Sequence, residues 1–570
     1  MIEFFTALTT AAWLVPNHYV PWLSAWSDAV AIVALFGLLP CAALAARAAG
    51  RISWRLPAVA VLCWAVLLGQ LASGKILYAG DALMAALYLG LWLAAVLAGA
   101  WLAGASIKGS TRQQMAGSGD ALDALAAAWL FAAIVSVGIA LVQWTGAIHL
   151  GIYGADLPPG ARPFANVGQP NHFCTLCFLG LCGLLWLQQR QRVRGAAFWL
   201  AAGFLLWGMA MSQSRTGWLQ IALLVLWGLA LHARAGLCIT RAQLLTFASL
   251  FVAAVLLWPW ACDVLMLSPG RPLADQMSAG VRLPYWWAML DAVGRQPLWG
   301  YGWQQVGAAQ QNVALAHPVL GTYFDHSHNL VLDLLLWNGI PLGGVIIVLL
   351  VWWFAAHIRA CRDARAAWLL AAVGGVVTHA MLEYPLDYAY FLIPVGLAMG
   401  AIEVFAPTGA RLLRVPRGVA LGLALLLAVV FAGVASDYVK AEQNDRIQRF
   451  ELAHIGTDRV HTPVPKLRLL TQLEAYLQIA HADLAPGMSP AQLEALRRAA
   501  LRWGYPATLG RYALALALNG QPQAAARELQ VLRKIWGNKA YAWSRAQFEA
   551  LAAGKYPQLR AVSLPSGGGQ

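Results

Sequence analysis

The chain has 570 residues, of which 60% are hydrophobic and only 11% are charged, and its mean hydropathy is +0.61. Soluble globular domains carry about 25% charged residues, so this composition excludes a soluble globule and indicates a membrane protein. The net charge of +14 does not favour nucleic-acid binding, because the basic residues lie in short loops between apolar segments, where membrane orientation accounts for most of them.

The apolar segments predict an all-α fold, a polytopic transmembrane helix bundle. A membrane span needs about 20 mostly apolar residues, and about thirteen segments come close to that length. The first is short, and without a basic leader or small-residue cleavage site it is expected to stay as a span rather than act as a removable signal peptide. The predicted spans cover residues 4–15, 29–47, 57–72, 81–104, 120–144, 171–188, 195–212, 217–234, 242–262, 327–356, 366–382, 386–405 and 417–436.

Basic residues crowd into every second loop, which is typical of the cytoplasmic loops of membrane proteins. The alternation predicts a cytoplasmic N-terminus and a C-terminus outside, which in a bacterium means the periplasm. The basic loops lie at residues 47–55, 108–112, 190–194, 234–241, 359–365 and 411–417. The opposite set comprises residues 16–22, 73–81, 145–170, 212–217, 263–326, 383–388 and everything after 437.

Two domains follow from the change of composition along the chain. Residues 1–436 are expected to form the transmembrane domain, with a long outer loop at 263–326, and loops of that length are usually functional. Residues 437–570 are polar with helical periodicity and predict a small helical periplasmic domain. Residues 509–537 resemble a single tetratricopeptide-like hairpin, which is weak support for a repeat array.

The eight cysteines fall in or beside apolar spans and predict no disulfide framework. Cys174 and Cys177 form a CxxC pattern inside an apolar run that redox partners could hardly reach. We therefore expect both to pack within a helix.

Five arginines fall in the opposite set of loops and break the charge pattern: Arg162, Arg215, Arg271, Arg282 and Arg295. An anionic ligand would explain them, because the planar guanidinium suits phosphate oxygens and keeps its charge when partly desolvated. Arg215 lies in the very short turn SQSRTGW, and Arg282 is flanked by interfacial aromatics in SAGVRLPYWW. Contact with lipid headgroups or ion pairing is the alternative. Arg271 and Arg295 are expected to be ordinary loop residues.

The densest polar cluster is FDHSHN, which contains His326, His328 and Asn329 at the outer end of a predicted span. A histidine can accept a proton near neutral pH, so it is a natural general base for a hydroxyl group. The alternative is an interfacial histidine that caps a helix. Asp325 and Asp333 add possible metal ligands, but further ligands at zinc-like spacing are lacking, so we predict no metal site.

The segment ARPFANVGQPNH places polar side chains just outside another predicted span. Side-chain amides of this kind can bind sugar hydroxyls or a peptide, but Gly-Gln-Pro-Asn also favours a turn and a helix start, and both interpretations stay open. The residues concerned are Arg162, Gln169, Asn171 and His172. Four residues elsewhere share this face and could orient a ligand or pair with an arginine: Glu383, Tyr384, Lys75 and Asp81.

Four motifs of the chain resemble signatures of the bacterial O-antigen ligase and O-antigen polymerase superfamily: SQSRTGW, PLWGYGWQQVGAAQ, DHSHNLVLDLLLWNGIPLG and HAMLEYPLDYAYFLIP. The segments LVPNHYVPWLSAW and ANVGQPNH and the extended C-terminal region are similar to the branch of pilin-type protein O-oligosaccharyltransferases. The resemblance covers nearly the whole chain, although Asp28 stands where the pattern has Glu.

This resemblance implies inverting, en bloc transfer of an oligosaccharide from undecaprenyl pyrophosphate to a Ser or Thr hydroxyl of a periplasmic, pilin-like protein. It implies an enzyme of the bacterial inner membrane that uses no cofactor, neither nucleotide nor metal. The essential histidine of the family falls on His328, and its phosphate-binding arginines fall on Arg215 and Arg282. We therefore expect these three side chains to share one pocket on the outer face.

Other functions stay open from the residues alone. Ligation of O-antigen to lipid A core, or glycan polymerisation, differs only in the acceptor, which the sequence does not reveal. A transporter of lipid-linked substrates would place charged residues deep within the spans, whereas here they lie mostly at span ends. A membrane-anchored scaffold acting through the C-terminal helices is a third alternative.

Overall fold

A computed structural model describes residues 1–45, 50–108, 120–268, 270, 280–455 and 463–564. The regular secondary structure of the described chain is almost entirely helical, which confirms the all-α prediction. Its helices up to the middle of the chain are α1 (Ile2–Leu14), α2 (Ala25–Ala45), α3 (Arg55–Ala72), α4 (Ala79–Lys108), α5 (Ala121–Thr145), α6 (Pro170–Gln189), α7 (Gly195–Met211), α8 (Arg215–Leu231), α9 (Arg241–Val264), α10 (Arg282–Arg295) and α11 (Val306–Val313). The remaining helices are α12 (Leu330–Ala360), α13 (Ala364–Ala380), α14 (Ala389–Phe405), α15 (Arg417–Leu452), α16 (Thr471–His481), α17 (Pro490–Arg502), α18 (Pro506–Leu518), α19 (Pro522–Trp536) and α20 (Asn538–Ala553). Two short strands, β1 (Gly50–Ser53) and β2 (Leu412–Val415), pair antiparallel.

Each of the thirteen predicted spans lies on a helix. Eight helices of the described chain are long and apolar enough to cross a membrane: α2, α3, α4, α5, α6, α9, α12 and α15. The other five, α1, α7, α8, α13 and α14, are apolar but have at most 17 residues, short of the roughly 20 that a span needs. The protein is therefore a multi-pass membrane protein, and the count of thirteen crossings stays a prediction.

The segment 263–326, which the sequence analysis treats as a loop, contains α10 and α11. The buried residues of α10 are Tyr285, Ala288, Met289, Ala292 and Val293. Their spacing of three and four residues marks one face of an amphipathic helix. This periodicity can be seen in the sequence when the individual positions, rather than the average hydropathy, are compared.

The described chain forms two compact units. The first contains Met1–Val61, Leu87–Ser278 and Leu349–Phe431. The second contains Leu62–Ala86, Ala279–Val348 and Ala432–Gln570. Several helices are divided between the two units, so the limits of the units do not coincide with the predicted domain boundary at residue 436. That domain boundary stays a prediction.

Helix α6 lies at the centre of the first unit and packs against α5, α7, α8 and α13. It is buried along nearly its whole length, including Cys174 and Cys177, which confirms that the CxxC pattern is a packing feature. Elsewhere in this unit α4 and α14 approach so closely that a Cβ atom at Gly99 or Gly400 would collide with the backbone of the facing helix. Small residues permit such approach between membrane helices.

Contacts within the first unit join loops that the charge pattern assigns to the same side. Strand β1 pairs with β2, so Arg51 lies opposite Arg414. Arg190, the residue after α6, binds Asp123 in the first turn of α5 at 3.0 Å, so the end of α6 lies beside the start of α5. These contacts support the predicted alternation of crossings, because loops on opposite membrane faces could not meet.

In the second unit, helices α17 to α20 pack around a core of their own. Leu509, Leu529 and Leu532 are fully buried there, and Tyr323 joins the same cluster. Ser489 caps α17 through a capping box with Gln492, so the local sequence defines where this helix begins. The two helices within 509–537 exist as predicted, whereas their tetratricopeptide character stays a prediction.

Candidate functional site

The short SQSRTG turn joins α7 to α8 and places Arg215 at the first position of α8. Gln213 has a positive φ of 49°, and the Ser212 hydroxyl donates to the Met209 carbonyl at 2.6 Å while it accepts the Ser214 amide at 3.2 Å. These local bonds close the turn. The first N–H groups of a helix lack intrahelical partners and carry partial positive charge, so this end of α8 favours an anion beside the Arg215 guanidinium.

Arg162 supports this turn from a different loop. Its guanidinium donates to the carbonyl oxygens of Ser212 and Gln213, each at 3.2 Å. Hydrogen bonds from a charged donor are stronger than neutral ones, so Arg162 stabilises the backbone that carries Arg215. The predicted contact of Arg162 with substrate stays a prediction.

Asn171 connects three motifs that lie far apart in the sequence. Its Nδ2 donates to Glu383 Oε1 at 3.0 Å, and its Oδ1 accepts a hydrogen bond from the Ser214 hydroxyl at 2.8 Å. Glu383 is only 5% exposed, and the neighbouring Tyr384 stacks on Tyr388. The QPNH, EYP and SRTG motifs therefore form one buried polar network, in which satisfied partners fix each other's positions.

Gln169 and His172 are held by helix α6. The Gln169 side chain accepts the backbone amide of His172 at 3.1 Å, and Pro170 is the first helical residue, so the helix-start interpretation of this motif is confirmed. The His172 ring is buried among aromatics, with ring centroids 4.5 Å from Tyr388 and 5.3 Å from His379. Binding of substrate by Gln169 and His172 stays a prediction.

The HSHN segment forms a tight loop immediately before α12. Asn329 caps this helix, since its Oδ1 accepts the amides of Val331 and Leu332 at 3.0 and 3.2 Å. The Ser327 amide donates to Asp333 Oδ1 at 2.7 Å. The helix-capping interpretation therefore applies to Asn329.

Helix α10 is tied directly to this loop. The Tyr285 hydroxyl donates to the His326 carbonyl at 3.0 Å, and Trp286 Nε1 donates to the Ser327 carbonyl at 2.9 Å. Arg282 is the first residue of the same helix, one turn earlier. Arg282 and the HSHN loop thus belong to one locally tied element of the second unit.

The two histidines of the loop have different surroundings. His326 is only 8% exposed, and its Nδ1 lies 3.9 Å from Asp333 Oδ2. His328 is partly exposed, its ring packs edge-on against Phe324 at 4.9 Å, and its φ is +56°. A positive φ is uncommon for a residue with a side chain, and such strain persists only where surrounding contacts impose it. The geometry favours His328 as the histidine that can meet a substrate.

The remaining outer arginines have structural surroundings where they are described. Arg295 is the last residue of α10 and not the loop residue that was predicted, and its contacts are structural: it binds Asp291 at 2.8 Å and donates to the Asn312 carbonyl at 3.0 Å. His317 also binds Asp291, and hydrogen bonds from Arg295 and His317 lower the pKa of this carboxyl. Arg271 lies outside the described residues.

Lys75 and Asp81 are both engaged within the second unit. Lys75 Nζ donates to the Gly300 carbonyl at 2.6 Å, and partial burial lowers the pKa of Lys75. Asp81 pairs with Arg502 at 3.1 Å, so of the two alternatives left open for Asp81 the structure shows pairing with an arginine, which comes from the C-terminal helices.

The candidate residues divide between the two units. Arg215 belongs to the first unit with Arg162, Gln169, Asn171, His172, Glu383 and Tyr384. Arg282 belongs to the second unit with His326, His328 and Asn329. The shared pocket for Arg215, Arg282 and His328 accordingly stays a prediction.

Several supporting residues escape sequence reasoning. Ser214 lies inside a motif already singled out, and Tyr285 lies on the apolar face of α10, so both carry a local signal. Arg502 carries none, because its partner Asp81 is 421 positions away. Such pairs are decided only by folding.

The chemistry available here is electrostatic and acid–base. Guanidinium groups can stabilise the charge that develops on a leaving phosphate, and a partly exposed imidazole can accept a hydroxyl proton. Within the described ranges, no group of three or more His, Cys, Asp or Glu side chains is placed to hold a metal ion.

Three protein families match successive parts of the chain. Residues 163–187 match the family described as protein glycosylation ligase, and residues 197–347 match O-antigen ligase. Residues 367–551 match the C-terminal part of virulence factor membrane-bound polymerase. The O-antigen ligase match contains Arg215, Arg282 and His328, and the glycosylation ligase match contains the QPNH motif.

Two curated proteins of Acinetobacter baylyi are similar to this chain. One, a general O-oligosaccharyltransferase, is 29% identical over 547 residues, which cover 93% of this chain and 91% of the relative. The other, a ComP-specific O-oligosaccharyltransferase, is 30% identical over 290 residues, about half of each chain. The chain is therefore similar to O-antigen ligases in its central part and to an O-oligosaccharyltransferase along nearly its whole length, and these similarities indicate a glycosyltransferase-type membrane enzyme.

Proposed function

We propose that this enzyme transfers a complete oligosaccharide from undecaprenyl pyrophosphate to Ser or Thr hydroxyls of a periplasmic protein, such as a pilin. The similarity to a general O-oligosaccharyltransferase along nearly the whole chain carries this proposal. The HSHN loop adds chemical support, because it presents a partly exposed histidine on a backbone held in a strained conformation.

In the proposed reaction, the acceptor hydroxyl oxygen attacks the anomeric carbon of the first sugar. The bond from that carbon to the phosphate oxygen breaks, and the pyrophosphate leaves with the electron pair. His328 accepts or orients the hydroxyl proton. A single displacement of this kind inverts the anomeric configuration.

Arg215 and Arg282 supply positive charge to the pyrophosphate in this proposal. Negative charge grows on the leaving group as the bond breaks, so fixed guanidinium groups stabilise the transition state more than the ground state. The arginines, rather than a metal ion, carry this electrostatic role.

The remaining polar candidates act on substrates or on these three residues. The Asn171–Glu383–Ser214 network and Arg162 hold the turn that carries Arg215. In the second unit His326 and Asn329 shape the HSHN loop. Of the other candidates, Tyr384 is partly exposed beside Glu383, and we assign it to contact with the glycan.

The proposed location is the bacterial inner membrane, with a cytoplasmic N-terminus and the active face and C-terminus in the periplasm. The contacts between loops of one predicted set support this arrangement. Reporter fusions after residues 110 and 437 test it: the first should be active only with a cytoplasmic reporter and the second only with a periplasmic one.

The deciding experiment uses purified full-length protein in lipid nanodiscs, with a defined undecaprenyl-pyrophosphate oligosaccharide and a pilin-like acceptor. Mass spectrometry should show the whole glycan on acceptor Ser or Thr residues. Glycan on lipid A core, or on another glycan, but none on protein would contradict the proposed acceptor. In a parallel assay with the protein reconstituted in closed vesicles, movement of donor across the bilayer without transfer would indicate a transporter instead.

A further inference from the structure

The helices near the C-terminus are attached to the loop that carries His328, and we propose that Arg502 is the positioning residue through which they hold this loop. This inference rests on the proposed role of His328. It assigns a role in turnover to a region that could otherwise be taken for a detachable cap.

Arg502, the last residue of α17, bridges two carboxylates. Its Nε lies 3.1 Å from both oxygens of Asp81, and one terminal nitrogen lies 3.4 Å from Asp325 Oδ1. The side chains of Arg502 and Asp81 are 13% and 3% exposed, whereas that of Asp325 is 37% exposed. Ion pairs shielded from water are screened little by salt and hold their geometry firmly.

Further hydrogen bonds join the same two regions. The Tyr323 hydroxyl donates to the Arg502 carbonyl at 2.8 Å, and the Tyr505 hydroxyl donates to Asp325 Oδ2 at 3.4 Å. Gln311 Nε2 donates to the carbonyl of Ala500 at 3.0 Å. The end of α17 is thus hydrogen-bonded to Gln311, Tyr323 and Asp325, which lie in the segment that leads into the HSHN loop.

Asp325 immediately precedes His326 and lies three residues before His328. On its other side, the loop is held by Tyr285 and Trp286 of α10. The positive φ of His328 needs support from its surroundings, and these two attachments supply it. Loss of the Arg502 attachment should let the loop relax, and a catalytic group displaced by about 1 Å can lose about 100-fold in rate.

The test compares Arg502→Gln with Arg497→Gln in the glycan-transfer assay. Arg497 lies on the same helix and pairs with Glu494 at 2.7 Å, but both side chains are substantially exposed, so this variant is a matched control. For Arg502→Gln we expect kcat to fall about 10- to 100-fold with little change in the KM for the lipid-linked donor. Arg497→Gln should match the wild type.

Asp325→Asn decides the question if Arg502→Gln does not fold. It removes one ion pair from the partly exposed carboxylate and leaves the buried Arg502–Asp81 pair intact. We expect a several-fold lower kcat at an unchanged thermal midpoint, a combination that a purely structural role would not give.

This inference would be overturned if Asp325→Asn, and any Arg502→Gln that folds, kept the wild-type kcat. If His328→Ala lost turnover in the same assay, the proposed role of His328 would still stand. Wild-type turnover in His328→Ala would instead remove the proposed role of His328 and this inference with it.

Discussion

The Arg215 turn and the His328 loop are built in different ways. The turn joins two apolar helices directly and is held by Arg162 and by the Asn171–Glu383–Ser214 network, whose members lie at the ends of other apolar helices. The loop is held by α10 on one side and by α17 on the other, and neither helix is among the candidate membrane spans.

This difference predicts different responses to mutation. Packing of apolar helices sets the position of Arg215, so changes in the buried polar network should reduce stability and turnover together. Helices α10 and α17, which are not among the candidate spans, hold the loop of His328, so changes there can reduce turnover while the bundle of apolar helices stays intact.

The largest effect is expected for His328→Ala. If His328 handles the hydroxyl proton, turnover should fall by at least about 100-fold, because a positioned general base contributes about 10²- to 10⁴-fold. The thermal midpoint should change little, since the side chain is partly exposed. His317→Ala, in the same unit but bound to Asp291, is the control and should keep wild-type turnover. Near wild-type activity of His328→Ala would remove His328 from the chemistry.

A comparable but graded loss is expected for Arg215. Arg215→Ala should lose about 100-fold in turnover and should bind the donor more weakly, because a preorganised charge at the leaving group is lost. Arg215→Lys should be intermediate, since lysine keeps the charge without the planar fork. Arg194, the residue immediately before α7, provides the control Arg194→Ala, which should keep wild-type turnover. Wild-type donor binding and turnover in Arg215→Ala would show that Arg215 serves membrane topology instead.

The buried polar network should affect stability as well as rate. Asn171→Ala removes the amide that donates to Glu383 and should destabilise the protein by about 1–3 kcal/mol, with about a tenfold loss of turnover. Ser214→Ala removes a single hydroxyl bond to Asn171 and should cost about 1 kcal/mol. Thermal midpoints and turnover measured side by side check this order. A larger loss in Ser214→Ala than in Asn171→Ala would contradict it.

The smallest effect is expected for Asp291→Asn in the second unit. Hydrogen bonds from Arg295 and His317 lower the pKa of Asp291 below its ordinary value of 3.8. The ionised form therefore stabilises the fold above about pH 3.8, and this contribution is lost as the pH falls through the lower pKa of the folded state. At pH 7 the thermal midpoint of the variant should lie no more than about 2 °C below that of the wild type, because the Asp291–Arg295 ion pair is exposed. The difference should shrink below pH 4, and turnover at pH 7 should be unchanged. A midpoint gap that widens in acid would show that this sign is wrong.

Much of the fold could be predicted because its determinants are local. Long apolar runs predict helices, and the QPNH motif contains its own cap and proline, so a helix start is one of the two interpretations that its sequence allows. The basic loops also predict which loops share a face, and the pairing of Arg51 with Arg414 is consistent with that grouping. The segment 263–326 was only partly understood, because α10 is amphipathic and short and its apolar face does not raise the average hydropathy.

The candidate site likewise has features that the sequence could predict and features that it could not. His328, Arg215 and Arg282 could be selected from residue type, position at span ends and family resemblance. The contacts between their supporting residues could not, since Asn171 meets Glu383 across 212 positions and Arg502 meets Asp81 across 421. A side chain's residue type does not specify a partner so far away along the chain.

The sequence by itself determined the class of protein, the helical segments and the chemical types available on one predicted face, because hydropathy, charge and capping act over a few residues. The tertiary structure decided which histidine of the HSHN loop is accessible and which arginines are engaged in contacts within the protein. It also decided that the C-terminal helices contact the segment that leads into this loop. Those outcomes depend on packing between distant segments, where burial and geometry select one set of partners among many compatible residues.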